Sequence, residues 1–274
     1  IQLGQDIYGE DYEDQSGRSV SISSDGNILA IGAPYNEGNG SDSGHLRIYE
    51  WNGSSWSQIG QDIDGEAGSD YSGWSVSLSS DGNTVAIGAL YNDGNGYNSG
   101  HVRIYNYDGS TWNQVGNDID GEAGSDFSGC SVSLSDDGNI VAIGAVNNDG
   151  NGSNSGHVRI YNYNGSSWIK LGNDIDGEAT GDHSGYSVSL SSDGNTVAIG
   201  AYLNDGNVYN SGHVRIYEWN GSSWNQIGQD IDAEAQDDYS GWSVSMSSDG
   251  NKVAIGAVNN DGNGNTSGHV RIYQ

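Results

Sequence analysis

The chain is poor in basic residues: eight Lys and Arg stand against 37 Asp and Glu, a formal charge of −29. A surface this acidic repels phosphate backbones and anionic lipid, which argues against nucleic acid as a partner and favours cations. A single cysteine, Cys130, excludes an intramolecular disulfide. Its counterparts elsewhere in the chain are Arg18, Trp74, Tyr186 and Trp242, so the thiol occupies a variable position. Proline and phenylalanine each occur once, and no stretch shows helical periodicity. No apolar run approaches the roughly 20 residues that carry a helix across a bilayer, so membrane insertion is not expected. Glycine is abundant instead, with 45 residues, and with Ser and Asn it would elsewhere indicate disorder. Here 17 Tyr and 8 Trp return at fixed places beside Val-Ala-Ile runs, which is material for a packed core.

That recurrence has a strict period. Gly4, Gly60, Gly116, Gly172 and Gly228 each open the phrase G-[QN]-D-I, 56 residues apart without an insertion. Each unit carries four strand signals, seen clearly in the second. Trp74 to Ser79 alternates apolar and small polar residues, and Asp81-Gly82 makes a hairpin turn of the primed type. Thr84 to Ala89 follows, then a ten-residue loop from Tyr91 to Gly100. His101 to Tyr105, a turn at Asp108-Gly109 and Thr111 to Val115 complete the unit. Four antiparallel strands, repeated, form the blade of a propeller. The expectation is one all-β domain over 1–274, a five-bladed β-propeller of four-stranded blades. Ser, Ala and Gly in the first two strands suit close approach of neighbouring sheets, and Tyr and Trp fill the wider gaps. Ile1 to Gly4 reads as the tail of a fourth strand and Arg271 to Gln274 as the end of a third. Closure of a ring by pairing of these ends and continuation of a longer array both suit that pattern.

The phrase S-G-W-S-V-S-L-S-S-D-G-N-T-V-A-I-G-A, residues 72–89, resembles the FG-GAP repeat of integrin α-subunit propellers and related bacterial and algal surface proteins. Ala33-Pro34 keeps the final Pro of that pattern. The resemblance covers all five units. It implies a propeller, an extracellular or cell-surface location, and adhesion or ligand binding. One departure matters: the family's Asp-rich calcium loop between the first and second strands is here the bare turn Ser79 to Asn83. One Asp and one Asn do not supply the six to eight oxygens calcium prefers, so that site is not carried over.

Oxygen ligands are denser between blades. Asp62, Asp64, Glu66 and Asp70 alternate around a Gly, and the phrase returns as Asp118, Asp120, Glu122, Asp126 and as Asp174, Asp176, Glu178, Asp182. Calcium is the candidate cation for these carboxylates; capping of turns and pairing with Arg is the alternative use. Tyr8 and Ala233 interrupt the phrase in the first and last units. His101, Arg103 and Tyr105 share a strand face, as do their counterparts in every unit. No two such His are adjacent in sequence to chelate zinc, so His and Arg read as blade-to-blade connectors, the Arg reaching an interblade carboxylate.

Catalytic residues are not evident. The sequence has no nucleophile elbow, no Gly-rich loop feeding a helix and no local His cluster. No unit departs from the others as a catalytic one would, so a non-enzymatic protein is expected. Candidate ligand-binding residues come from the variable positions and the long loops: Tyr71, Trp74, Asn92, Asp93, Asn95, Tyr97, Tyr186, Tyr209 and Trp242. Aromatic rings beside amides and carboxylates suit stacking on sugar rings, and possible plugs of interblade gaps have the same composition. The expected partner is a surface glycan or glycoprotein, bound in multivalent fashion through five similar sites. The alternative is further copies of the chain itself, as a building block of a filament, sheath or matrix.

Overall fold

The structure is a computed structural model that describes residues 1–274. It is all-β, without helix. The chain divides into two compact units, Ile1–Gly129 with Asp136–Asn139 and Tyr163–Trp168, and Cys130–Ser135 with Ile140–Asn162 and Ile169–Gln274. The first unit carries two blades. One comprises β1 (Ser19–Ile22), β2 (Ile28–Ala33), β3 (His45–Trp51), β4 (Trp56–Gln58) and the short β5 (Ile63–Asp64). The other comprises β6 (Ser75–Leu78), β7 (Thr84–Ala89), β8 (His101–Tyr107), β9 (Trp112–Gln114) and β10 (Ile119–Asp120). Both sheets are antiparallel and run in chain order, and the fourth and fifth strands share the outer edge of the third.

The remaining strands repeat this plan. The third sheet is built of β11 (Ser128–Leu134), β12 (Ile140–Ala145), β13 (His157–Tyr163), β14 (Trp168–Lys170) and β15 (Ile175–Asp176). The fourth holds β16 (Ser187–Leu190), β17 (Thr196–Ala201), β18 (His213–Trp219), β19 (Trp224–Gln226) and β20 (Ile231–Asp232). The fifth has three strands, β21 (Ser240–Met246), β22 (Val253–Ala257) and β23 (His269–Tyr273). Five blades of antiparallel strands, one per 56-residue repeat, are the architecture the period predicts. They form a β-propeller.

Two sequence features explain the packing. The alternation in β6 and β7 sends Leu78, Val85 and Ile87 into a core shared with Leu46, Ile48 and Ile63 of the preceding blade. The second unit repeats this with Leu190, Val197 and Ile199 against Val158, Ile160 and Ile175. Small residues then let the sheets touch. Ser75 Oγ donates to Gly129 O at 2.7 Å, and a Cβ placed on Gly88 would stand 2.1 Å from that same oxygen. Ser19 and Gly73 make the matching contact between the first two blades.

The Asp-Gly turns differ from the primed form expected. Gly82 has φ of 73°, but Asp81 does not have positive φ. The loop is one residue wider at each side, closed by Ser79 N to Thr84 O at 2.8 Å. Asp81 Oδ1 accepts from Ser79 Oγ and from Asn83 N, so the carboxylate organises the turn that a two-residue loop would otherwise make by strain.

The close approach at Gly88 generates a prediction. Gly88→Ala will lower stability by about 1–3 kcal/mol through overpacking against a backbone carbonyl. Gly256→Ala, whose added Cβ meets only the movable Ser243 Oγ, will cost much less. Urea titrations compare the two; equal losses would show that the carbonyl contact is not the cause.

Candidate functional site

Period two along β8 places His101, Arg103 and Tyr105 on one face, and all three are buried. A buried guanidinium requires acceptors. Arg103 Nη2 donates to the carbonyl of Asp64 at 2.7 Å, while Nη1 lies 3.8 Å from Glu66 Oε1. Its Cζ stands 5.6 Å from the Tyr105 ring centre. Arg47 repeats the grip on Tyr8 O at 2.8 Å and Glu10 at 3.3 Å, and Arg215 on Asp176 O at 2.6 Å and Glu178 at 3.7 Å. Arg271 does so on Asp232 O at 2.7 Å and Glu234 at 3.4 Å. The expected Arg–carboxylate contact is present, and the shorter bond goes to the backbone carbonyl two residues before the Glu.

This grip sets Glu66 beside His101, whose Nδ1 is 3.8 Å from Glu66 Oε2. Asp118, from the next interblade loop, completes a group whose three donor atoms lie within 4.8 Å of one another. Glu10, His45 and Asp62 form the same group in the first blade, and Glu178, His213 and Asp230 in the fourth. These groups can hold a metal ion. The carboxylates of one loop therefore do not converge: Asp62 joins His45 and Glu66 joins His101. Asp64 stays exposed and pairs with His45 through the strand ladder. Asp70 is buried and caps a turn, its Oδ2 accepting from Ala67 N at 3.0 Å and Asn92 Nδ2 at 3.1 Å. Asp126 accepts from Ala123 N at 3.0 Å and Asp182 from Ala179 N at 2.8 Å. Asp174 is bound by Lys170 Nζ at 2.6 Å, and Asp176 Oδ1 lies 4.0 Å from His157 Nδ1. Asp120 sits exposed in β10.

Burial, reinforced by Arg103, drives the His101 imidazole down to about 4, and His213 likewise beside Arg215. Both rings are neutral at neutral pH, and neither nitrogen of His101 has a hydrogen-bond partner. Desolvation raises Glu66 and Glu178 despite their arginines. The sequence reading missed the histidines as members of these groups because their partners lie far along the chain. The signal was present as the unvarying separations of Glu66, His101 and Asp118 and of their counterparts.

The ligand-binding candidates separate in the same way. Tyr71, Asp93 and Tyr97 line one cleft of about 560 Å³ with Tyr91, Asn98, Gly68 and Ser69. Tyr71 is held at φ of 55°, and its ring lies 4.9 Å from that of Tyr91. Tyr97 is 73% exposed. Asn92 and Asn95 are structural instead. Asn92 bonds Asp70 and Gly94, and Asn95 Nδ2 donates to Gly121 O at 2.8 Å. Trp74 lies under the Arg18 guanidinium, 4.2 Å away. Tyr186 and Trp242 pack together at 4.8 Å and against Tyr202, a second aromatic group, and Tyr209 is exposed on its own loop. Tyr91, Asn98 and Ser69 were not singled out in the sequence, because the cleft joins two loops.

The buried imidazoles imply a pH dependence. His101 and His213 bind protons near pH 4 when folded and at about 6.5 when unfolded. The unfolded chain thus holds more protons within that window, so stability rises with pH through it and is lost as pH falls from 6.5 towards 4. Each His contributes up to about 3 kcal/mol. Denaturation of EDTA-dialysed protein across this range will show the loss, with a shallower slope in His101→Gln. An unchanged slope in the variant would show that His101 takes up its proton without penalty.

Comparison with known proteins places the fold. No curated protein matches the chain. Among solved structures, a periplasmic gluconolactonase of Pseudomonas aeruginosa superposes with a TM-score of 0.56 at 16% identity, over 86% of this chain and 64% of that one. Hydrazine synthase of Kuenenia stuttgartiensis gives 0.51 at 12% identity, over 92% and 59%. The chain thus spans less than two thirds of either protein, and at such identity the likeness is one of fold. The FG-GAP repeat model matches residues 10–49, 62–105, 118–161, 175–217 and 231–273. With five matches in phase with the 56-residue period, the chain belongs to the FG-GAP repeat family.

Proposed function

We propose that this protein is an extracellular, non-catalytic binding module whose ligand is a carbohydrate of a surface glycan or glycoprotein. The observation that carries this reading is the cleft of Tyr71, Tyr91 and Tyr97 with Asp93 and Asn98. The exposed Tyr97 ring suits stacking on the apolar face of a sugar, with the half-buried Tyr71 and Tyr91 beside it, and the adjoining amide and carboxylate suit the sugar hydroxyls. Asp93 Oδ1 already accepts from Asn98 N at 2.7 Å, so the polar wall is ordered before a ligand arrives. Positions equivalent to Tyr97 are Ser41, Ser153, Tyr209 and Asn265, and those equivalent to Tyr91 include Asn147 and Leu203. The full aromatic set therefore belongs to one blade, which favours one principal site over five equal ones. Desolvation pushes the Cys130 thiol up to about 11, which keeps it un-ionised.

A second reading, a building block that assembles with its own copies, rests on a different observation. Val20 and Ile22 on β1 are 62% and 56% exposed, whereas Leu78, the counterpart of Ile22, is buried at 8% and Val76, the counterpart of Val20, is half-buried. Val270 and Ile272 on β23 are 67% and 73% exposed, whereas Val102 and Ile104 in β8 are fully buried. These two apolar faces have the composition that neighbouring blades bury against each other inside each unit.

Two outcomes follow. Tyr97→Ala and Tyr91→Ala will each weaken binding to the glycans recognised on an array about tenfold, a loss of roughly 1.4 kcal/mol. Binding that is unaffected by both, or absent from the native protein, removes the cleft as the site. For the second reading, sedimentation of the native protein will show association that rises with concentration and is abolished by Ile272→Asp; a monomer at every concentration overturns it.

A further inference from the structure

We propose that Glu66, His101 and Asp118, with the equivalent groups Glu10–His45–Asp62 and Glu178–His213–Asp230, bind a divalent transition cation, zinc foremost. Each group offers one imidazole nitrogen and two carboxylate oxygens within 4.8 Å of one another. Zinc bound at ordinary lengths to a His nitrogen and a carboxylate oxygen holds the two about 3.4 Å apart. His101 Nδ1 and Glu66 Oε2 stand at 3.8 Å, too far for a hydrogen bond and within a small side-chain adjustment of that separation.

The independent observation is the imidazole itself. His101 is 1% exposed, and both its nitrogens lack a partner; His45 and His213, equally buried, leave Nδ1 without one. Buried polar atoms are seldom left unsatisfied, and each costs the desolvation of that atom. A neutral imidazole with a free nitrogen, aimed at two carboxylates, is the state a metal requires of its ligand. The charges also suit an ion. Glu66 turns Oε1 towards Arg103 and Oε2 towards the His, so one carboxylate serves the guanidinium and the cation together. Asp118 brings a second negative charge from the opposite loop, where Gln114 Nε2 occupies its Oδ1 at 2.6 Å.

The donor set decides the class of ion. The sequence suggested calcium on the loop carboxylates, but calcium takes six to eight oxygens and makes little use of imidazole. One nitrogen and two carboxylates with water completing the shell suit zinc and its neighbours in the first transition row. Arg103 lies close enough to oppose the ion, so the affinity will be moderate.

Protein dialysed against EDTA and titrated calorimetrically with zinc sulfate tests the proposal. Native protein will bind zinc, and Asp118→Asn will lose one equivalent. Glu66→Gln will lose the same equivalent, while His269→Ala, outside every group, will lose none. Asp118 does not contact Arg103, so its variant remains informative if Glu66→Gln is unstable. Nitrogen-15 NMR will show the His101 ring signals displaced by zinc and unmoved by calcium. Absence of zinc binding, a stoichiometry unchanged in Asp118→Asn, or zinc binding that leaves the His101 signals unmoved overturns the proposal.

Discussion

One buried guanidinium in a blade constrains most of what surrounds it. A cation with five N–H donors leaves water only where acceptors wait for it. For Arg103 the acceptor is the Asp64 carbonyl, with the Glu66 carboxylate as counter-charge at 3.8 Å, both on the loop that arrives from the preceding blade. That loop is laddered at the same time to the preceding blade, Ile63 and Asp64 pairing with Leu46 and His45. One short segment therefore closes on two sheets, and its polar groups are spent on holding them together. The position of Glu66 beside His101 is a consequence of the same grip.

The acidic excess divides into carboxylates that build the fold and carboxylates that remain available. Asp70, Asp126, Asp182 and Asp238 are buried and accept from turn amides. Asp70 also accepts from Asn92, which fastens the interblade loop to the long loop of the second blade. This fastening orders the backbone that presents Tyr71 in a left-handed conformation and Tyr97 to solvent. A cleft whose walls are fixed in advance loses less entropy when a ligand enters. Structural capping in one set of residues thus supports recognition by another.

The sequence by itself determined the blade. Period two in Trp74–Ser79, the Val-Ala-Ile-Gly-Ala strand and the Asp-Gly turns are local signals, because alternation and positive φ act over a few residues. The 56-residue phase then multiplied one blade into five. Arg103 also announced its need for an acid, since few cations occur in so acidic a chain. What the tertiary structure decided is which acid and which oxygen. Asp62, Asp64, Glu66 and Asp70 read as one ligand set along the chain, yet Asp70 turns inward to cap amides and Asp62 serves a different His from Glu66. Neighbours in sequence diverge because the strand is only Ile63–Asp64 and the turn that follows redirects the rest. Tyr71 and Tyr91 likewise met only when two loops, each polar and unremarkable alone, were fastened through Asn92 and Asp70.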